Sequence, residues 1–366
     1  MRLMIGAGGT GGHVYPALTA ARVLSQQNHN LTFVGTRGGG GFEKRLVEDS
    51  AIRFDAFAEI FAGPVVGKNP LRALWSLLLM TVGLVQSLVL LIRFRPQSIL
   101  LTGGWANVPL ALAGWILRVP LLVYLPDIEP GKTIQYISRI AAKVAITVPD
   151  AAAYFPTGKS IVTGYPLRET LTSATREAAL VHFKLDPARK TLLVFGGSRG
   201  ARSLNEAIGA IVPDLLADGL QILHVSGTLD AEAALAKRAS LMDAAHYQVF
   251  AYLEHDMGLA LAAADVVLSR SGASILGEFP YFGLPSILVP YPYAWRYQKT
   301  NAEYLVSHGA AVCLDDEHLH ETLLPTLRAL LHDPQRLAQM RSAAKALAQP
   351  QGAQNIARLM TELAGA

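Results

Sequence analysis

One feature constrains this chain more than any other: twice, a short apolar run opens directly onto a glycine loop and then a helical pattern. Near the start, Arg2–Ala7 runs into GGTGGH, Gly8 to His13, followed by Val14, Tyr15 and Pro16. Near the middle, Thr191–Phe195 runs into GGSRGA, Gly196 to Ala201, with Arg202 and Asn205 on the helix behind. Apolar runs without polar alternation suit strands covered on both faces, and a strand–loop–helix order builds parallel sheets. Glycines let backbone approach a phosphate closely, and the helix behind them points unpaired amides at the anion. Equally, a single such loop only permits a tight strand-to-helix turn, so no one loop decides the function.

Further apolar runs repeat the pattern at Leu31–Gly35, Ser98–Thr102, Leu121–Tyr124, Gln221–Val225, Val249–Tyr252, Val266–Ser269 and Ser286–Val289. The chain of 366 residues has room for two domains, each of roughly 160 to 180 residues and large enough to bury a core. Pro156 to Arg168, with Thr157, Gly158, Gly164 and Pro166, reads as the connection between halves. From about Pro325 the sequence reads as helical to the end. The expectation is an α/β chain: two doubly wound Rossmann-like domains facing across a cleft, over 1–163 and 164–345. A last helix, within 346–366, is expected to pack back toward the first domain.

The sole cysteine, Cys313, excludes an internal disulfide and fits a reducing compartment. No apolar stretch of signal-peptide length follows Arg2, so the protein is expected in the cytoplasm. A net charge of +4 suits anionic substrates or an anionic membrane surface. Basic runs with interleaved aromatics are missing, so nucleic acid is not an expected partner. Ala73–Ile92 holds twenty residues without a charge, between Arg72 and the pair Arg93 and Arg95, with Lys68 upstream. That length matches a bilayer span. Ser76, Thr81, Gly83, Gln86 and Ser87 dilute it, and strands flank it, so a helix lying in the membrane interface is expected instead.

Two readings of function remain open at this point. Gly6, Gly8 and Gly11 satisfy G-x-G-x-x-G, the dinucleotide fingerprint. The next strand ends Val34, Gly35, Thr36, Arg37, without the acid that would hold a ribose, although Arg37 suits a 2′-phosphate. An NADP-dependent oxidoreductase therefore stays open. The rival is a transferase of nucleotide sugars. Its case rests on Gly103-Gly104 after a strand, and on a constellation from Ser269 to Asn301. There a Ser/Gly loop leads into a helix expected near Ala273, with Glu278 about one and a half turns in, able to accept both hydroxyls of a ribose. Gln298 and Asn301, three apart, share a helix face, and amides suit sugar hydroxyls. The plain alternative for all three is a solvated helix face.

Taken in order, these residues resemble the MurG family, the peptidoglycan N-acetylglucosaminyltransferases of the GT-B fold. The likeness runs through GGTGGH with Pro16, Gly103-Gly104, GYPLR at Gly164–Arg168, GGSRGARSLN at Gly196–Asn205 and LEHDM at Leu253–Met257. It continues through SRSGA, Glu278, GLP at Gly283–Pro285 and the pair Gln298 and Asn301.

The resemblance implies a donor, UDP-N-acetylglucosamine, held mainly by the second domain. Ser198 would hold phosphate, and backbone near Glu254 would read the uracil. Ala273, Ser274, Ile275, Leu276, Gly277 and Glu278 would hold phosphate and ribose. Gln298 and Asn301 would touch the sugar, and Arg168 the nucleotide at the domain junction. Thr10, Gly11, Gly12 and Asp127 are further donor-binding candidates. The implied acceptor is a polyprenyl-diphosphate-linked muramyl pentapeptide, lipid I, entering from the first domain at the cytoplasmic face of the membrane.

His13, with an intrinsic pKa near neutrality, is the candidate base, the alternative being a loop histidine that only binds. No Asp-x-Asp motif is present, so helix N-termini and the Ser198 loop are expected to stabilise the diphosphate without metal or cofactor. His318 and His320 read as surface residues. Three departures fall on motifs expected to line the cleft. Tyr124-Leu125-Pro126-Asp127 stands where the family commonly has His-Glu-Gln-Asn, Tyr165 where it has asparagine, and Arg296-Tyr297 where it has Asp-His. A related lipid glycosyltransferase, acting on a diacylglycerol, therefore remains a second acceptor reading.

Overall fold

The computed structural model describes every residue except Thr10, 38–40, 64–69, Ala106, Ser198, Arg199, Asp243 and 294–296, and only the backbone of 70–73. The chain divides into two compact units, Met1–Leu167 with Pro350–Ala366, and Arg168–Gln349.

In the first unit the strands are β1 (Arg2–Gly6), β2 (Asn30–Thr36), β3 (Ala56–Ile60), β4 (Ser98–Leu101), β5 (Leu121–Leu125), β6 (Lys143–Ile146) and β7 (Ser160–Val162). They form one parallel sheet in the order β3-β2-β1-β4-β5-β6-β7. The helices between them are α1 (Gly11–Gln26), α2 (Phe42–Asp49), α3 (Pro70–Phe94), α4 (Asn107–Ile116) and α5 (Lys132–Ile140). The central strands are buried on both faces, which is why β1, β4 and β5 read as unbroken apolar runs. The strand order reverses between β1 and β4, so the loops leaving these two strands meet at the carboxyl edge. That switch point is where doubly wound sheets bind ligands.

The stretch expected to be a plain connection, Pro156 to Arg168, contains β7, paired in parallel with β6. This edge strand has three residues and is partly exposed, so flanking Pro156 and Gly158 dominate its sequence signal.

The C-terminal helix (Gly352–Gly365) belongs to the first unit, and Ile356, Ala357, Leu359 and Met360 join its core. Ser98 Oγ donates to the Met360 carbonyl at 2.9 Å, and Asn355 Nδ2 to the Thr163 carbonyl at 3.0 Å. A Cβ at Gly352 would stand 2.4 Å from the Tyr165 carbonyl oxygen, so only glycine lets the helix start this close. Burying Ile356 and Met360 stabilises this attachment by about 1.5–3 kcal/mol each.

The uncharged segment lies within α3, which packs against α4. Its buried face is its small and polar one. Ser76 and Ser87 are buried, Gln86 Oε1 accepts from the Phe61 amide at 2.9 Å, and a Cβ at Gly83 would collide with the Phe61 carbonyl at 1.9 Å. The outward face carries Leu74, Trp75, Leu77, Leu78, Val85, Val89 and Ile92, each more than half exposed. Trp115 and Ile116 of α4 extend this surface, and exposed Arg93, Arg95 and Arg118 border it.

The second unit repeats the plan with β8 (Thr191–Phe195), β9 (Gln221–Val225), β10 (Tyr247–Phe250), β11 (Val266–Ser269), β12 (Ser286–Leu288) and β13 (Ala311–Cys313). Its parallel order is β10-β9-β8-β11-β12-β13, so the switch point lies between β8 and β11. Its helices are α6 (Glu169–Thr172), α7 (Arg176–His182), α8 (Arg202–Ala217), α9 (Ala231–Ala239), α10 (Met257–Ala263), α11 (Ile275–Phe282), α12 (Tyr297–Ser307), α13 (Leu319–Leu331) and α14 (Pro334–Ala346). Leucines and isoleucines of α8 and α13 cover one face of this sheet.

Candidate functional site

At the first switch point the loop from β1 to α1 lies against the loop from β4 to α4. Gly103 and Gly104 both take positive φ, 116° and 88°. A Cβ at Gly104 would sit 2.4 Å from the Gly8 carbonyl oxygen, and one at Gly103 2.6 Å from His13 Cδ2. Only glycines let these loops approach each other so closely. Gly6 has a packing role too: a Cβ there would meet Asn107 Oδ1 at 2.7 Å. Its place in the dinucleotide fingerprint therefore needs no cofactor to explain it.

His13 stands in the first turn of α1, half-buried, and its own carbonyl accepts from Thr102 Oγ1 at 2.8 Å. Its Nδ1 is 3.2 Å from the Gly8 carbonyl. A carbonyl only accepts, so Nδ1 carries the hydrogen and the basic lone pair is placed on Nε2. Burial lowers the His13 pKa below 6.5, with the Gly8 hydrogen bond opposing the shift, and the ring is neutral at pH 7. Gly11 and Gly12 open the same helix. Thr10 and Ser198 lie outside the described residues, as do Lys68 and Arg296.

Glu43, in the first turn of α2, is a residue the sequence analysis missed. It is 2% exposed, and its Oε1 accepts the Gly9 amide at 3.0 Å. Tyr124, one of the departures from the family pattern, is fully buried with its hydroxyl 2.9 Å from Thr147 Oγ1. Burial pushes that phenol well above 10, so it packs as a neutral residue. Asp127 follows in the bend after β5, half-buried at the same carboxyl edge.

At the second switch point the loop after β11 leads into α11, which begins at Ile275, two residues past the expected Ala273. Glu278 therefore sits in the first turn, where the helix dipole favours a carboxylate. It is 8% exposed and accepts from Ser274 Oγ at 3.0 Å. Burial raises its pKa, while the Arg168 charge and the Ser274 bond pull it down. Ala273 and Ser274 are half-buried ahead of the helix, and Ile275, Leu276 and Gly277 are buried inside it.

Asn301 is fully buried and donates from Nδ2 to the Ser271 carbonyl at 3.1 Å. Gln298 is tied to the same loop: its carbonyl accepts from Ser271 Oγ at 2.7 Å, and its Oε1 from the Tyr291 amide at 2.8 Å. The solvated-face alternative thus fails for Glu278 and Asn301. Glu254 lies exposed in the turn before α10, beside buried Leu253.

Two polar networks hold these loops. Arg270, 8% exposed, donates to Asp316 Oδ1 at 2.5 Å, to Ser203 Oγ at 2.7 Å and to the Val289 carbonyl at 3.1 Å, and stacks over the Tyr291 ring. Ser203 also donates to Asp316 at 2.7 Å. Sequence reasoning gave no sign of Asp316, an isolated acid far along the chain. In the second network, Asn205 Nδ2 donates to the Ser226 carbonyl at 2.8 Å and to Asp230 at 2.9 Å, leaving Oδ1 to accept from His224 Nε2 at 2.9 Å. His224 Nδ1 then accepts from the Tyr247 hydroxyl at 2.8 Å, and burial drops this histidine's pKa to about 4.

Comparison with known proteins shows what carries this geometry elsewhere. Residues 3–146 match the glycosyltransferase family 28 N-terminal domain, and residues 191–356 its C-terminal domain. A Desulforudis audaxviator protein is 39% identical, over 100% of this chain and 99% of its own. A Roseiflexus protein is 37% identical, over 99% of this chain and 95% of its own. Both are named UDP-N-acetylglucosamine--N-acetylmuramyl-(pentapeptide) pyrophosphoryl-undecaprenol N-acetylglucosamine transferase. The crystal structure of Acinetobacter baumannii MurG superposes with a TM-score of 0.80 at 28% identity, covering 99% of each chain. The fold is thus GT-B, and the oxidoreductase alternative falls away. With relatives this similar over their whole length, the chain belongs to the MurG family within glycosyltransferase family 28.

Proposed function

We propose that this protein transfers N-acetylglucosamine from UDP-N-acetylglucosamine, with inversion, to the 4-hydroxyl of the muramyl sugar of lipid I, forming lipid II for peptidoglycan. The observation that carries the reading is the likeness, along the full chain, to relatives named for this reaction. On the donor side, Glu278 accepts the ribose hydroxyls at the head of α11 while Arg168 offsets its charge. Gln298 reads the sugar, while Asn301, fully buried against the expectation of a sugar contact, holds the Ser271 loop behind it. Loop amides with the α8 and α11 N-termini face the diphosphate. On the acceptor side, His13 Nε2 takes the proton of the attacking hydroxyl as the new bond to the anomeric carbon forms. The bond from that carbon to UDP breaks, and its electron pair leaves on the diphosphate. The test is a transfer assay offering UDP-N-acetylglucosamine against a lipid I analogue and a diacylglycerol. Transfer to the lipid I analogue is expected, and transfer to the diacylglycerol alone overturns the reading.

Donor binding has its own check. Glu278→Ala is expected to weaken UDP binding to the full chain by about 1–3 kcal/mol, the loss expected when ribose hydroxyls lose a charged acceptor. Calorimetry measures it, and an unchanged affinity removes Glu278 from the donor site.

The acceptor's tail stays in the bilayer, and the outward face of α3 supports peripheral attachment at the cytoplasmic surface. Exposed Leu78 and Val85 would enter the interface, with Arg93 and Arg95 near anionic headgroups. Alkaline carbonate is expected to strip the protein from membranes intact. Leu78→Glu with Val85→Glu should lower binding to anionic vesicles roughly 10- to 100-fold, as expected for two apolar anchors exchanged for charges. Unchanged sedimentation with vesicles would show that another surface docks.

A further inference from the structure

We propose that Glu43 is a positioning residue for the base, acting through a single peptide unit of the first glycine loop. The inference rests on the reading of His13 as the base. The Gly9 amide that Glu43 holds and the Gly8 carbonyl that accepts His13 Nδ1–H are the two ends of the same peptide group. That group is planar and trans, so its N–H and C=O point in opposite directions and turn together. Fixing the amide at one end fixes the direction of the carbonyl at the other, and with it the direction in which the imidazole Nδ1–H points.

The fixing comes from outside the loop. Gly8 and Gly9 have little conformational preference of their own, and Gly9 sits at φ 92°. A carboxylate 2% exposed is costly to bury unless strong donors meet it, and a charge-assisted bond to an amide is such a contact. The bond also polarises the peptide, making the Gly8 oxygen a better acceptor for Nδ1–H. The arrangement matches the familiar pairing of a carboxylate with a catalytic histidine, with one peptide group inserted between them.

The test compares Glu43→Ala, Glu43→Gln and Glu43→Asp in the full chain, alone and with His13→Ala. Glu43→Ala is expected to lower kcat roughly 10- to 100-fold, as for other residues that orient a catalytic group. The KM for UDP-N-acetylglucosamine should stay within about twofold, the uniform-binding part being untouched. Glu43→Gln keeps an acceptor oxygen at the same reach and should recover most of the rate, whereas Glu43→Asp, one methylene short, should not. If Glu43→Ala does not fold, the contrast between Gln and Asp carries the test. Combined with His13→Ala, loss of the Glu43 bond should cost nothing further. Equal losses in Gln and Asp, or a full additive loss in the His13→Ala background, overturn the inference. Near-normal turnover in His13→Ala alone overturns the base assignment itself, which is a separate failure.

Discussion

His13→Ala is expected to lower turnover roughly 100- to 10,000-fold while the affinity for UDP-N-acetylglucosamine barely moves. The size follows from what is removed on the proposed reading: the group that would take a proton in the transition state, and no contact that would hold the donor in the ground state. The environment of the ring adds a second signature. His13 works as a base only when neutral, and burial lowers its pKa below 6.5. The rate in the native protein should therefore be flat around neutrality and fall as pH drops through that lowered value. The acid limb should vanish in the alanine variant. Single-turnover rates against pH, measured with saturating donor, check both points. Near-normal turnover would leave His13 as a residue that shapes its loop.

Asp316→Ala is expected to destabilise the second unit by about 3–5 kcal/mol, the usual result of leaving a buried charge without its partner. Arg270 cannot shed its proton, and at 8% exposure it has little water to turn to. Its other partners, Ser203, the Val289 and Pro290 carbonyls and the Tyr291 ring, are neutral and cannot replace a carboxylate. Denaturant titration of the full chain, followed by a probe in the second unit, measures the change. Removing both charges together, as Arg270→Met with Asp316→Leu, should cost less than Asp316→Ala alone, because no orphaned cation remains. A loss under 1 kcal/mol for Asp316→Ala would mean that solvent reaches Arg270 more freely than its burial implies.

The parts of this fold legible in the sequence are those whose environment is uniform. Strands β1, β8, β9 and β11 are buried throughout or nearly so, and each shows as an apolar run in front of a glycine or serine loop. Edge strands β7 and β13 have three residues and partly exposed positions, which leaves little pattern to read. The residues proposed for the donor side were legible because they lie close in sequence to the loop they pack on. Glu278 bonds Ser274 four residues away, and Gln298 and Asn301 lie one turn apart on α12. Glu43 and Asp316 were not legible, because they reach their partners across 34 and 46 residues. A single acid in a loop or first turn has no spacing that announces such a partner. In α3 the sequence did reveal the polar residues, but not that Ser76, Gly83, Gln86 and Ser87 face inward while Thr81 faces out.

If the protein attaches to the membrane as proposed, the inward Ser76, Gly83, Gln86 and Ser87 also limit how far the first unit could settle into lipid. Gly83 is pressed on the Phe61 carbonyl and Gln86 is bonded to the Phe61 amide, so α3 cannot leave the sheet without breaking its own seat. Immersion on that proposal would be capped at the outer half of the helix, on the order of 5 Å of its roughly 10–12 Å girth. Making the helix greasier at its inner positions would not deepen the anchor. A leucine at Gly83 would push α3 off the domain and damage the fold without adding reach into lipid.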